Sequence, residues 1–341
     1  MAPLGRSRAI RNTPTPLMEE YYTQRASAGL IITEGVAPCP NALGHPRIPG
    51  IYTDTQCEAW RKVTQAIHRK GGKVFIQLMH TGRISHPDNM EPGSTIIAPS
   101  AIQAAGDIYT DTHGFQPLPT PIAMKTDDIV HAQAAFVQAA KNARRVGFDG
   151  VEIHAAYGYL VAQFMNPASN QRSDEYGGSV ANRCRFATEV MKKIIVVIGG
   201  NKIGIRLSPY NEYNSMIIHD DLEEDYVYLT KQLQAMGVTY IHLVDDTAVG
   251  MEERFISLRN MIRKTFNGTL ILCGGYDRER AEEDLQRERG DVIAFGRPFI
   301  SNPDFVQRMQ HNWAMTAVDT DTLYTPGARG YIDYPPVSPR L

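Results

Sequence analysis

Short apolar runs alternate with longer amphipathic stretches through most of the chain. The runs fall at residues 30–33, 73–78, 150–154, 202–208, 240–244, 269–273 and 291–295, each rich in Val, Ile or Leu. They are too short for helices of ordinary length and suit strands buried on both faces of a parallel sheet. A further run, residues 1–4, reads as the end of a strand. Between the runs, apolar positions three and four apart predict helices over 16–28, 55–70, 127–146, 181–198, 223–236, 254–266, 278–287 and 303–311. Trp60, Val63 and Ile67 mark one such face. Gly29, Gly71, Gly147, Gly237, Gly268 and Gly290 close these stretches as helix stop signals.

Eight strands alternating with eight helices predict an α/β chain folded as a (β/α)8 barrel, with residues 1–341 as a single domain. A doubly wound open sheet is the competing architecture. It is disfavoured because no two of the 28 glycines are spaced Gly-x-Gly and no linker divides the chain. Residues 82–121 interrupt the alternation. This stretch is rich in Gly, Pro, Ser and Thr, carries His86, Tyr109, His113 and Phe115, and reads as an excursion near the barrel mouth.

Composition narrows the function classes. The 341 residues are 43% apolar, ample for one barrel core. Lys and Arg total 35 against 37 Asp and Glu, a formal charge of −2. That balance excludes a basic nucleic-acid footprint and a polybasic membrane patch. No run approaches the ~18 apolar residues of a spanning helix. Cys39, Cys57, Cys184 and Cys273 form no Cys-x-x-Cys pair, which argues against a zinc ribbon, a cysteine-bound iron–sulfur cluster and a secreted disulfide scaffold. His80 and His86 have no cysteine nearby and make a poor zinc site; no metal is expected. The expected compartment is the cytosol. Asn267-Gly268-Thr269 is then a chance sequon, and Pro339-Arg340-Leu341 only half-resembles a peroxisomal address.

In a barrel, chemistry sits where strands end at their carboxyl side. Here those positions hold Gln77, His154 followed by Tyr157 and Tyr159, Arg206, Gly274-Gly275 and Gly296-Arg297. This set offers an amide, an imidazole, phenols, guanidiniums and glycine turns, but no carboxylate cluster for a hard metal. Glycine turns after the last two strands let backbone N–H groups approach phosphate oxygens, although tight turns alone also require glycine. An arginine at a barrel mouth needs an anionic partner, either a carboxylate or a ligand. Tyr159 near His154 can serve as a proton donor, or be an ordinary half-buried aromatic.

At these residues the sequence resembles the old yellow enzyme family of flavin-dependent ene-reductases. The matching stretches include Met1-Ala2-Pro3-Leu4, Thr33-Glu34-Gly35, Phe75-Ile76-Gln77-Leu78, His80-Thr81-Gly82-Arg83, Gly147 through His154, Gly158-Tyr159-Leu160, Asn170 through Ser179, Gly204-Ile205-Arg206, Phe295-Gly296-Arg297-Pro298 and Gly330-Tyr331-Ile332-Asp333-Tyr334-Pro335. The resemblance implies a barrel holding non-covalent FMN, with NADPH or NADH as hydride source. The substrate is a small α,β-unsaturated carbonyl or nitro compound, and the chain a monomer or homodimer. Carried over by position, Gln77 and Arg206 meet the flavin ring, Pro3, Leu4 and Gly35 touch it, and Gly274, Gly275, Gly296 and Arg297 hold its phosphate. His154 polarises the substrate oxygen, Tyr159 donates a proton, and Tyr157 and Tyr331 line the substrate pocket.

Three departures from the family pattern bear on activity. Members usually begin earlier, with a hairpin and the body of the first strand, so an open barrel edge is expected here. Tyr157 stands where the family has Asn or His. Gly5 replaces a threonine that bonds the flavin, a loss of ~1 kcal/mol for one hydrogen bond. The alternatives to an ene-reductase are therefore a catalytically impaired flavin-binding protein, or a flavin-dependent isomerase or biosynthetic redox enzyme. The isomerase variant tends to lose the tyrosine found here at 159.

Overall fold

The computed structural model describes residues 1–246 and 248–337. The expected peroxisome-like terminus, Pro339-Arg340-Leu341, lies outside them. Seven strands form one parallel sheet in sequence order: β1 (Ile31–Val36), β2 (Val74–Leu78), β3 (Gly150–Ala155), β4 (Ile203–Leu207), β5 (Tyr240–Val244), β6 (Thr269–Cys273) and β7 (Val292–Ala294). Strictly parallel neighbours in sequence order, each joined through a helix, are the path of a (β/α)8 barrel.

The eighth place is filled by the chain's first residues rather than by a regular strand. The Met1 ammonium donates to the Leu30 carbonyl at 2.7 Å, Ile32 N–H donates to the Met1 carbonyl at 3.1 Å, and Ala2 N–H donates to the Phe295 carbonyl at 2.8 Å. The segment bridges β1 and the end of β7, the two edges of the sheet. The expected open edge is thus closed at this level, with too few bonds to count as a ladder.

The outer helices are α1 (Pro16–Gln24), α2 (Asp54–Arg69), α3 (Thr126–Arg145), α4 (Arg185–Ile198), α5 (Leu222–Met236), α6 (Glu252–Thr265) and α7 (Arg278–Gln286). They pack pairwise around the barrel, α1 on α2, α3 on α4, α4 on α5 and α5 on α6. A capping box starts α2: the Thr53 hydroxyl accepts from Gln56 N–H and the Gln56 side chain accepts from Thr53 N–H. Two expected helices are shorter than the pattern predicts. The first stops at Gln24, where the chain tightens into a turn with Arg25 N–H donating to the Tyr22 carbonyl, and the Arg25 guanidinium then reaches the carbonyls of Tyr21, Phe299 and Ile300. The stretch 181–198 divides at Cys184 into a single turn, Val180–Arg183, and α4.

The excursion carries two small ladders of its own. Asp107–Thr110 pairs antiparallel with Gly114–Pro117, and Ile97–Ala98 pairs parallel with Ile122–Ala123.

Two cores follow from strand alternation. The larger lies between strands and helices, around Trp60, Phe136, Phe148 and Phe186. The smaller fills the barrel bore with Ala2, Ile32, Phe75, Tyr240, Ile271, Cys273 and Ala294. Side chains in the bore must share a narrow space. A Cβ on Gly204 would sit 2.3 Å from the Tyr240 ring on the neighbouring strand. Gly204→Ala should therefore destabilise the chain by about 1–3 kcal/mol through overpacking. Urea denaturation monitored by circular dichroism checks this; an unchanged midpoint would show that the bore has slack.

Candidate active site

Register decides which strand-end side chains meet. Gln77 pairs with Glu152, His154 with Arg206, and Arg206 with His242. Paired residues of parallel strands point to the same face, so all five enter the bore.

Glu152, fully buried, is the hub of this layer. It accepts from Gln77 Nε2 at 2.7 Å, from the Tyr240 hydroxyl at 3.0 Å and from His242 Nδ1 at 2.9 Å. Burial works to raise the Glu152 carboxyl, but the His242 charge and hydrogen bond, with Arg206 and Gln77, hold it below its ordinary 4.5. Burial works to lower the His242 imidazole, and the Glu152 charge holds it above its ordinary 6.5.

Arg206 lies above this hub and is 7% exposed. Its Nη2 reaches the Cys273 sulfur at 3.9 Å, the Tyr157 ring lies 5.4 Å from its guanidinium carbon, and its Nε has no partner among the described residues. A buried, unsatisfied donor on a charged group costs at least about 1–3 kcal/mol. Such a group marks a place meant for an anionic or acceptor-rich ligand.

His154 is buried beside it, and burial, followed by the charges of Arg206 and His242, pushes its imidazole well down, so the ring is neutral. Its Nδ1 accepts from Ala156 N–H at 3.2 Å. The single ring proton therefore sits on Nε2, a donor with no protein partner among the described residues. The Tyr159 ring meets His154 edge-on at 4.9 Å, and the Tyr157 ring at 6.4 Å.

Tyr157 has φ +53°, a conformation costly for a bulky side chain. Two bonds hold it there: its N–H donates to the Ser208 hydroxyl at 2.8 Å, and Asn214 Nδ2 donates to its carbonyl at 2.7 Å. Its hydroxyl faces Asp246 at 3.4 Å.

The glycine turns stand on adjacent strand ends, since Cys273 pairs with Ala294. Gly274 has φ +126° and Gly275 φ +58°, and a Cβ on Gly274 would lie 2.0 Å from the Asp245 carbonyl oxygen. No other residue fits at Gly274. Gly296 lies against Leu4, with the Leu4 Cδ2 3.3 Å from the position a Cβ would take. Arg297, exposed, leads into the short helix Pro298–Ser301. Pro3 is buried and Leu4 half-buried at this rim, and Gly35 pairs with Gln77 on β2. Beside Gly5, the space a Cβ would enter is open.

The structure thus brings Pro3, Leu4, Gly35, Gln77, His154, Tyr157, Tyr159, Arg206, Gly274, Gly275, Gly296 and Arg297 to one end of the barrel. Tyr331 is a correction. It is fully buried, stacked on Tyr21 at 4.2 Å, with the Arg6 and Arg8 guanidiniums 5.2 and 4.8 Å from its ring. It packs the C-terminal loop against α1 and has no face toward a pocket. Tyr324 stands nearer the mouth, 62% exposed and close enough to raise the Tyr159 phenol.

His45 escaped the sequence reading. Its Nε2 lies 2.8 Å from the Tyr159 hydroxyl. It sits in an irregular loop, where no periodicity points to a partner.

A family profile described as the NADH:flavin oxidoreductase / NADH oxidase family matches residues 1–315. The chain is 40% identical to 12-oxophytodienoate reductase 1 of Oryza sativa subsp. japonica, over 98% of this chain and 88% of that protein. Among solved structures, morphinone reductase in complex with tetrahydroNAD superposes with a TM-score of 0.93 at 40% identity, covering 99% of this chain and 93% of that one. The old yellow enzyme homologue from Zymomonas mobilis gives 0.93 at 38% identity, covering 99% and 95%.

The Glu152–His242 pair makes stability depend on pH in a definite direction. Glu152, depressed, contributes stability above 4.5 that is lost as pH falls through its folded value. His242, raised, contributes stability below 6.5 that is lost as pH rises through its folded value. The pair is fully effective between 4.5 and 6.5. Melting temperatures across pH 2 to 9 should show both limbs, and Glu152→Gln should flatten them; two unchanged limbs in that variant would assign the dependence elsewhere.

Proposed function

The chain belongs to the NADH:flavin oxidoreductase / NADH oxidase family, the old yellow enzymes, and from that premise we propose how its mouth residues divide the work of reducing the C=C bond of an activated alkene. The observation that carries the reading is Arg206: a guanidinium buried at the strand ends, its Nε unpaired, beside a neutral His154 and the Tyr159 phenol.

The residues present fit FMN. The unpaired Arg206 Nε suits the electron-rich pyrimidine edge of the ring, Gln77 enters the bore from β2 one layer below, and Pro3, Leu4 and Gly35 supply ring contacts. The left-handed turn at Gly274-Gly275 and the helix start at Gly296-Arg297 suit the phosphate. The chemistry that bound FMN supplies is hydride transfer, from NADPH or NADH in one half-reaction and to the β-carbon of an enone in the other. Arg206 offsets negative charge near the ring. His154, with its proton on Nε2, donates to the substrate's carbonyl or nitro oxygen and draws electron density from the alkene. Tyr159, protonated throughout the working range because burial raises its phenol, gives its proton to the α-carbon. Tyr157, clamped by Ser208 and Asn214, forms the wall over Arg206 and sets the pose of the substrate.

Closure of the edge by residues 1–4 supports a working barrel over an impaired flavin binder. No helix among the described residues is long and apolar enough to cross a membrane. The reading includes a monomer or homodimer in the cytosol.

The test begins with the colour of the purified protein. Anaerobic NADPH or NADH should bleach the flavin band, and cyclohex-2-enone should restore it; a flavin that bleaches but never recovers with enone would leave only the binding function. Tyr159→Phe should slow recovery by about 10²-fold or more, as expected for loss of a positioned acid, while reduction by nicotinamide keeps its rate. Equal slowing of both half-reactions in stopped flow would remove Tyr159 from the proton-donor role.

A further inference from the structure

Tyr159 makes its one side-chain hydrogen bond among the described residues to His45, in the loop between β1 and α2. The two rings meet edge to face, with centroids 5.8 Å apart. Burial pushes the His45 imidazole down to about 4, so the ring is neutral at working pH. A neutral imidazole has one N–H and one lone pair, and the tautomer decides what Tyr159 can do. If the phenol donated to Nε2, its only proton would face the loop. With Nε2–H donating to the phenol oxygen, that proton is free to face the pocket. No side-chain hydrogen bond among the described residues engages His45 Nδ1, and the residue is half-buried, at the rim rather than in the core.

On the reading of Tyr159 as proton donor, we propose that His45 is its positioning residue: it aims the phenol proton at the substrate and passes a replacement proton inward from water. The balance is simple. The Tyr159 O–H bond breaks as the substrate α-carbon gains hydrogen, and the O–H electron pair stays on the phenolate oxygen. The His45 Nε2–H bond then breaks toward that oxygen while Nδ1 takes a proton from water, and the hydroxide left is neutralised by buffer. Exchange with water restores the first tautomer. One solvent proton has reached carbon, and no redox partner beyond the nicotinamide is needed.

The groups bearing on this pair are few. His154, Tyr157, Tyr213 and Tyr324 face Tyr159, and Arg47, two residues beyond His45, is ion-paired with Asp111. None of them is positioned to replace an imidazole between the phenol and water.

The experiment uses the flavin-loaded protein in stopped flow, reduced first and then mixed with cyclohex-2-enone. His45→Ala should slow flavin recovery about tenfold or more, and added imidazole should restore it. His45→Gln, which keeps an N–H donor without a relay, should fall between Ala and wild type. In the resting protein, Tyr159→Phe should shift the His45 imidazole 15N signals, a readout independent of turnover. Wild-type recovery in His45→Ala, beside slow recovery in Tyr159→Phe, overturns the relay and leaves Tyr159 as donor. Slow recovery that imidazole does not rescue overturns it also, by reducing His45 to a packing role. Normal recovery in Tyr159→Phe removes the donor reading on which the relay stands.

Discussion

The structure turns on how one buried carboxylate is paid in hydrogen bonds. Glu152 sits inside a closed ring of strands, where an unpaired charge costs several kcal/mol. Three donors from two other strands answer it, Gln77 from β2 and Tyr240 and His242 from β5, with Arg206 of β4 adding its charge from above. These donors reach it only if the strands keep one register, so the same network that satisfies Glu152 fixes the heights of Gln77 and Arg206. Gly204, small enough to admit the Tyr240 ring, belongs to that arrangement.

Above this layer the balance is left deliberately incomplete. Arg206 Nε lacks a partner, His154 holds a proton on its outer nitrogen, and Tyr157 is kept in a left-handed conformation by bonds from Ser208 and Asn214. Arg206 Nε and His154 Nε2 are donors that a polar ring at the mouth would satisfy, and the Tyr157 conformation sets its ring over the Arg206 guanidinium. The hub below is satisfied around the Glu152 carboxylate, with His242 Nε2 left without a partner among the described residues, and the groups above it face the mouth, so the bore divides into a part that folds and a part that binds.

Much of this was legible in the sequence, and the exceptions share a cause. Strand runs give the periodicity that locates Gln77, His154 and Arg206, because in a barrel the position along a strand fixes both face and height. Gly274-Gly275 and Gly296 were legible because turns of this kind restrict residue type. Residues outside the repeating pattern were not. Residues 1–4 were read as a strand end, but the closure they make depends on two sheet edges meeting, a property of the whole ring. Tyr331 was placed in the pocket by the family resemblance alone; the Arg6 and Arg8 guanidiniums on its face, and Tyr21 beneath it, take it into the core. His45 lies in a loop, where contact partners follow from three-dimensional path alone. The Arg25 guanidinium just past the helix that ends at Gln24 finds its carbonyl partners at Phe299 and Ile300, far along the chain, which no local pattern signals.

Among the side chains that hold the loops of the mouth to each other, Arg47 reaches the most segments at once, and this helps irregular segments present aimed groups. Arg47 donates to the Ser7 carbonyl at 2.9 Å and to the Tyr324 carbonyl at 2.6 Å, and pairs with Asp111 in the excursion. One guanidinium thus joins the amino-terminal segment, the loop bearing His45, the excursion hairpin and the carboxyl-terminal loop bearing Tyr324. A lysine's three donors share one nitrogen and cannot span acceptors as widely as the separate nitrogens of the planar guanidinium. Because His45 is two residues from this junction, the position of its imidazole against Tyr159 is set by the same contacts that set the rim. The floor of the site is fixed by register around Glu152, and its rim by Arg47 together with Arg8 and Asn89; the phenol and imidazole stand where those two sets of constraints meet.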